Sequence, residues 1–283
     1  MTLSSLDNLL IEKEYEKINN YLKERNIYKK SRLIIAEKYT LSKEFLMLSS
    51  LIGNIVVISA IYGYNPIYTP ISLALYVTGL GFGIWFGRLW TKRLLAYTFA
   101  SSIYIQKKNL EEIVNDSSTF YSNNIEIKEG TIATIKLLRY SIADYPVYID
   151  KNDKNIEEII SKVAVDNLLA HEISHIFIGR SDIKASDLAY LIYLDMNNLL
   201  DANDLHKYKK TKEVIRKNIK ICVEYVKNEK RYDHDDIGVC YANITLYKNN
   251  FSIDIKREIE KLRHMKDKDI INEIRNYALN YSN

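Results

Sequence analysis

The sequence predicts a mainly α-helical α+β chain, in which an N-terminal two-helix transmembrane hairpin is followed by a zincin-like helical domain with a small β-sheet. Three observations predict it. A run from Phe45 to Gly87 contains no Asp, Glu, Lys or Arg although 27% of the chain is charged. Two segments between about 123 and 150 are rich in β-branched and aromatic residues. A long helical pattern, IEEIISKVAVDNLLAHEISHIFIG, carries two histidines four residues apart.

Residues 6 to 43 place Leu9, Leu10, Tyr15, Ile18 and Leu22 at helical spacing among many charges, so residues 1–44 read as amphipathic N-terminal helices. In residues 45–87, two apolar stretches flank YNPIYTP, which holds two of the three prolines. A spanning helix needs about 20 apolar residues, so two passes joined by a tight turn are expected. Lys29, Lys30, Arg32, Lys38 and Lys43 precede the first pass, and Arg88, Lys92 and Arg93 follow the second. Positive flanks place both termini and the C-terminal part on the cytoplasmic side, as a multi-pass protein partnered with the lipid bilayer. Gly79, Gly83 and Gly87 would let a second helix approach closely, with Ser49 and Gly53 as the facing surface.

Residues 88–115 continue as a connecting helix until the polar cluster NDSSTFYSNN, and residues 116–283 form the remaining domain. NNIEIKEGTIATIKL and YPVYID are its strands. Gly179 stops the long helix that follows, and further helices are expected at 184–199, 204–232 and after Ser252. The formal net charge of +4 offers no one-sided field, so no nucleic-acid partner is expected. Two cysteines without CxxC spacing, Cys222 and Cys240, argue for a reducing compartment and against a disulfide framework.

HEISH is the chemically informative motif. On a helix, His171 and His175 project from one face and can share one Zn2+, while Glu172 is positioned to take a proton from a water. Such a site hydrolyses carbonyl substrates, so the expected partners are protein or peptide substrates. A third ligand is needed, and Glu229 is the leading candidate, with Asp233 one turn later as hydrogen-bond partner of a ligand histidine. Asp233 itself, Glu224, His234 and Asp182 compete for the third position. Asp182 lies seven residues past His175, whereas the extended HExxHxxGxxH pattern puts its last ligand six past. His234, Tyr232 and His264 have the chemistry to stabilise an oxyanion.

HEISH followed by NEKRYDHDD resembles the gluzincins, whose pattern is HExxH and then ExxxD. With the hydrophobic run, it resembles within them the HtpX-like and CAAX prenyl endopeptidase family of membrane metallopeptidases. The resemblance implies His171, His175 and Glu229 as ligands, Glu172 as general base and Asp233 as supporting partner. It also implies cleavage of membrane or misfolded proteins on the cytosolic side, the substrate joining a sheet edge that YPVYID could supply. The chain departs from the family in Tyr232, where an alanine is usual, and in lacking a second hydrophobic pair. A non-catalytic membrane scaffold and a hydrolase of non-peptide substrates are the other readings.

Overall fold

The computed structural model describes residues 7–36, 96–99, 101–121, 128–138, 141–151, 153, 155–227 and 234–281. Its elements in chain order are α1 (Asn8–Glu24), β1 (Arg32–Ala36), β2 (Ala96–Phe99), β3 (Ser102–Gln106), α2 (Lys107–Tyr121), β4 (Ile132–Lys136) and β5 (Asp144–Tyr148). Then come α3 (Ile156–Ile178), α4 (Asp182–Met196), α5 (Leu205–Lys227), α6 (His234–Lys248), α7 (Ile255–His264) and α8 (Asp267–Asn280).

The centre of the molecule is α3, which carries the HEISH motif. Asn155 caps its N-terminus by accepting a hydrogen bond from the Glu158 amide, and Glu157 and Glu158 in the first turn complement the helix dipole. Its remaining turns are buried nearly all round, from Ile159 to Phe177, because α1, α2, α4 and β2 pack on different sides of it. A helix enclosed in this way needs apolar residues on every face. The sequence supplies them at Ile160, Val163, Val165, Leu168, Leu169 and Ile173.

Gly179 ends α3 with φ +86°. No atom lies near where its Cβ would be, so the positive φ alone makes glycine the suitable residue. Only Gly179, Arg180 and Ser181 separate α3 from α4, so the chain reverses sharply and Asp182 opens α4 beside the end of α3. Ser181 caps α4 and donates to Asp267 Oδ1 at 2.6 Å, which ties the reversal to the start of α8.

Two small sheets flank this core. In one, β3 lies between β1, parallel to it, and β2, antiparallel, with Thr98 opposite Ile103. The other is the β4–β5 hairpin, with Thr134 opposite Pro146. On the far side of β5 the amide side chain of Asn218 stands in for a strand partner. It accepts from the Asp144 amide and donates to the Asp144 carbonyl, each at 2.9 Å. The strands expected near 132 and 145 are therefore present, and the outer edge of β5 is closed at Asp144, immediately before YPVYID.

The expectation of a transmembrane architecture is corrected. Among the described residues no helix is long and apolar enough to cross a membrane, so the hairpin fold and the two-span placement with a cytoplasmic domain are not carried forward. At 23 residues each, α3 and α5 are long enough, but they bear charges that a lipid core would not accept. In α3 these are Glu157, Glu158, Lys162, Asp166 and Glu172; in α5 they are a row of lysines, and both helices spend their apolar faces on neighbouring elements. The stretch 45–87, with Gly79, Gly83, Gly87, Ser49 and Gly53, lies outside the described residues.

Two element assignments also change. Within the connecting helix expected over 88–115, Ala96–Phe99 and Ser102–Gln106 are strands and α2 begins only at Lys107, while residues 88–95 lie outside the described residues; Arg32–Ala36 in the N-terminal segment is also a strand. Both exchanges have one cause: IYIQ and RLII are short β-branched runs that pair with each other, and pairing outweighs the helical periodicity around them.

The cysteines reverse another expectation, since Cys222 of α5 and Cys240 of α6 form a disulfide between two fully buried positions. They are 18 residues apart in sequence, but helical packing brings their Cα atoms to 5.6 Å. Closing a loop of that length removes about 3 kcal/mol of unfolded-chain entropy. Reduction is expected to lower the urea stability of the metal-free chain by that amount; an unchanged urea midpoint after verified reduction would show that the bond adds nothing.

Candidate metal centre

The last two turns of α3 and the first residue of α4 bring three donor side chains together. His171 Nε2 and His175 Nε2 are 3.2 Å apart, and Asp182 Oδ1 is 3.3 Å from His175 Nε2. One ligand atom from each of the three lies within 4.8 Å of the others. The i,i+4 spacing sets the two rings edge to face on one helix face, with centroids 4.8 Å apart. The Gly179 reversal then carries Asp182 back to meet them. His171 is buried, His175 is half-buried and Asp182 is exposed, so the group is rooted in the core and opens to solvent on the Asp182 side.

Hydrogen bonding sets the ring orientation. His175 Nδ1 donates to the Gly179 carbonyl at 2.7 Å, which leaves the Nε2 lone pair directed at the other donors. His171 Nδ1 lies 3.0 Å from Ser186 Oγ on α4, and the Ser186 hydroxyl donates to Asp235 Oδ1 of α6 at 2.6 Å.

Charge is distributed unevenly across the group. Burial, reinforced by the neighbouring His175, pushes the His171 pKa down to about 3, so this ring stays neutral. Burial also opposes charge on His175, but the Asp182 carboxylate and Glu172 outweigh it and raise the pKa of this ring. Asp182 is lowered in turn, first by its hydrogen bond with His175. A cationic charge is thus favoured between these side chains even without a metal.

Glu172 is buried against β2. The Thr98 hydroxyl lies 2.8 Å from both the Glu172 carbonyl oxygen and its Oε2, so strand β2 anchors the helix and the carboxylate together. Burial pushes the Glu172 pKa up to about 7, against the opposing pull of His175 and the Thr98 hydrogen bond. A carboxyl poised there can both accept and return a proton near neutral pH.

The donor set suits Zn2+. With Zn–N and Zn–O bonds of about 2.0–2.1 Å, a tetrahedral site has ligand–ligand edges of about 3.3–3.4 Å, close to the two short separations here. Two imidazoles, one carboxylate and an open side form the ligand complement of a catalytic site.

Of the residues expected from sequence, His171, His175 and Glu172 come together on one helix. Glu229, Asp233 and Tyr232 lie outside the described residues. His234 is the first residue of α6, and its charge contributes to lowering the Asp182 pKa. Glu224 lies on the exposed face of α5, away from that helix's buried stripe, and His264 ends α7 in solvent. Asp182, ranked behind Glu229 because its spacing misses the extended motif by one residue, is the carboxylate that meets the two histidines among the described residues. The shift of Gly179 by one accompanies it. Sequence gave no sign of Thr98, Ser186 or Asp235, which reach the motif from three other elements.

No family model matches the chain, and neither a curated protein nor a solved structure matches it. The likeness to gluzincins therefore stands on the motif residues alone.

Proposed function

We propose that the chain is a zinc-dependent endopeptidase in which His171, His175 and Asp182 hold the metal and Glu172 is the general base. The observation that carries this reading is the meeting of three donor atoms within 4.8 Å, next to a buried carboxyl in the same helical turn.

Bound zinc would supply Lewis acidity, polarising a substrate carbonyl and making a water acidic near neutral pH. The protein's own residues would do the rest. Glu172 Oε2, steadied by Thr98, accepts a proton from the attacking water as the new C–O bond forms. It then returns that proton to the departing nitrogen as the C–N bond breaks, so no further acid is required. The exposed Asp182 side leaves room for the substrate carbonyl.

Strand β2 favours a peptide over other carbonyl substrates. It is the outer strand of its sheet, pairing with β3 on one side, and no strand lies on its other side among the described residues. An extended peptide added along that edge would pass beside Glu172.

The third ligand is tested by zinc titration of the full chain against a chromophoric chelator. The wild type is expected to bind one zinc, Asp182→Ala to bind at least about 100-fold more weakly, and Glu229→Ala to bind within about threefold of wild type. The reverse ranking would return the third position to Glu229.

A further inference from the structure

Ser186 is positioned unlike an ordinary mid-helix serine. Ser174, on α3, returns its hydroxyl to the Ala170 carbonyl four residues back, as such residues commonly do. Ser186 instead directs its hydroxyl across to another helix, at 2.6 Å from Asp235 Oδ1.

The contact depends on how closely α4 and α6 cross. At Gly238 a Cβ would overlap the Ile183 carbonyl oxygen and the Ser186 Cβ, so the two backbones meet as only glycine allows. Asp235 lies three residues before Gly238 on the same face of α6 and is thereby held over Ser186. It also sits in the first turn of α6, where the helix dipole favours a carboxylate.

The direction of the hydrogen bonds follows from counting protons. A serine hydroxyl has one, and an ionised Asp235 can only accept it. Towards His171, 3.0 Å away, Ser186 Oγ can then only accept, which requires the proton of His171 to be on Nδ1. Asp235 Oδ1 itself lies 3.7 Å from that nitrogen and adds a direct electrostatic pull. The His171 lone pair is consequently fixed on Nε2, facing His175 Nε2.

We infer that Ser186 and Asp235 act as a two-residue relay that fixes the tautomer of His171 and strengthens it as a metal ligand. The inference rests on the zinc centre proposed above and gives the supporting role expected of Asp233 to a serine and an aspartate on two other helices. Both are positioning residues, acting on the metal through His171 alone.

The relay is tested on the full chain with Ser186→Ala, Asp235→Asn and the double variant, measuring zinc dissociation constants by chelator competition. Each single change is expected to weaken binding about 10–100-fold. The double variant is expected within about threefold of the weaker single, because both residues act through one ring. Imidazole 15N spectra of the zinc-loaded wild type should show a protonated His171 Nδ1, and Ser186→Ala should lose that protected proton signal, while the thermal midpoint of the metal-free variants stays at the wild-type value.

Single variants that bind zinc as the wild type does would overturn the relay and leave the centre standing. So would additive losses in the double variant, or losses that track a falling metal-free midpoint. A wild-type chain that takes up no zinc would overturn the centre and the relay together.

Discussion

Replacing Glu172 with Gln is expected to leave about one zinc per chain in place and to slow cleavage of an unfolded casein-type substrate by about 10²–10⁴-fold. The substitution keeps the size of the side chain and its hydrogen bond with Thr98, because an amide oxygen can accept from the hydroxyl as Oε2 does. It removes only the capacity to take up a proton. Since the buried carboxyl has its pKa raised to about 7, wild-type turnover should climb as pH rises through that value and the carboxylate forms. Glu172→Gln should lack this limb. Retained zinc with unchanged turnover would exclude Glu172 as the base. Loss of zinc along with turnover would mean that the side chain supports the metal site and leave the proton-transfer role without support.

The second large effect concerns stability. Lys17, on α1, donates to Glu14, to Asp166 of α3 and to Asn197 at the end of α4, at 2.9–3.1 Å. The Asp166 side chain is 4% exposed and that of Glu14 is 1%, whereas Lys17 retains 33%. Changing Lys17 to Met would leave two buried carboxyls without their cation, at a cost of about 3 kcal/mol in the metal-free chain. Burial already raises the Asp166 pKa to about 7, despite the attraction of Lys17.

A carboxyl raised in this way contributes stability that is complete below its unfolded value of 3.8 and is lost as pH rises through about 7. Without Lys17 the raised value climbs further. The variant should therefore recover part of its deficit at pH 5 relative to pH 8, measured as the urea midpoint. A deficit independent of pH would show that Lys17 acts by packing its methylene stem and not by its charge. Tyr21 supports the same docking of α1, donating to Asp195 Oδ2 at 2.6 Å with Arg25 paired to that carboxylate.

The helix that carries HEISH was legible because its information is local. His171, Glu172 and His175 are related by one helical turn, Asn155 and Gly179 mark its ends, and the apolar positions between them leave one continuous element. Strands β4 and β5 were legible for a similar reason, since both are rich in β-branched or aromatic residues, although their pairing was not read. Segments whose conformation depends on a distant partner were not. Thr98 reads as part of a helix until Ser102–Gln106 is seen to pair with Arg32–Ala36. HDDIGVCYANITLYK was assigned to no helix, because α6 is buried nearly all round and has no amphipathic period to mark it.

By itself, then, the sequence determined the pair of histidines, the adjacent carboxylate and the helix that aligns them, since a spacing of four residues is enough to place side chains on one face. Only the tertiary structure decided which side chains meet that pair: Gly179 turns the chain so that Asp182 meets His175, and the close crossing at Gly238 sets Asp235 over Ser186. Those relations depend on backbone reversal and on the distance between helices, which residue spacing along a chain does not encode.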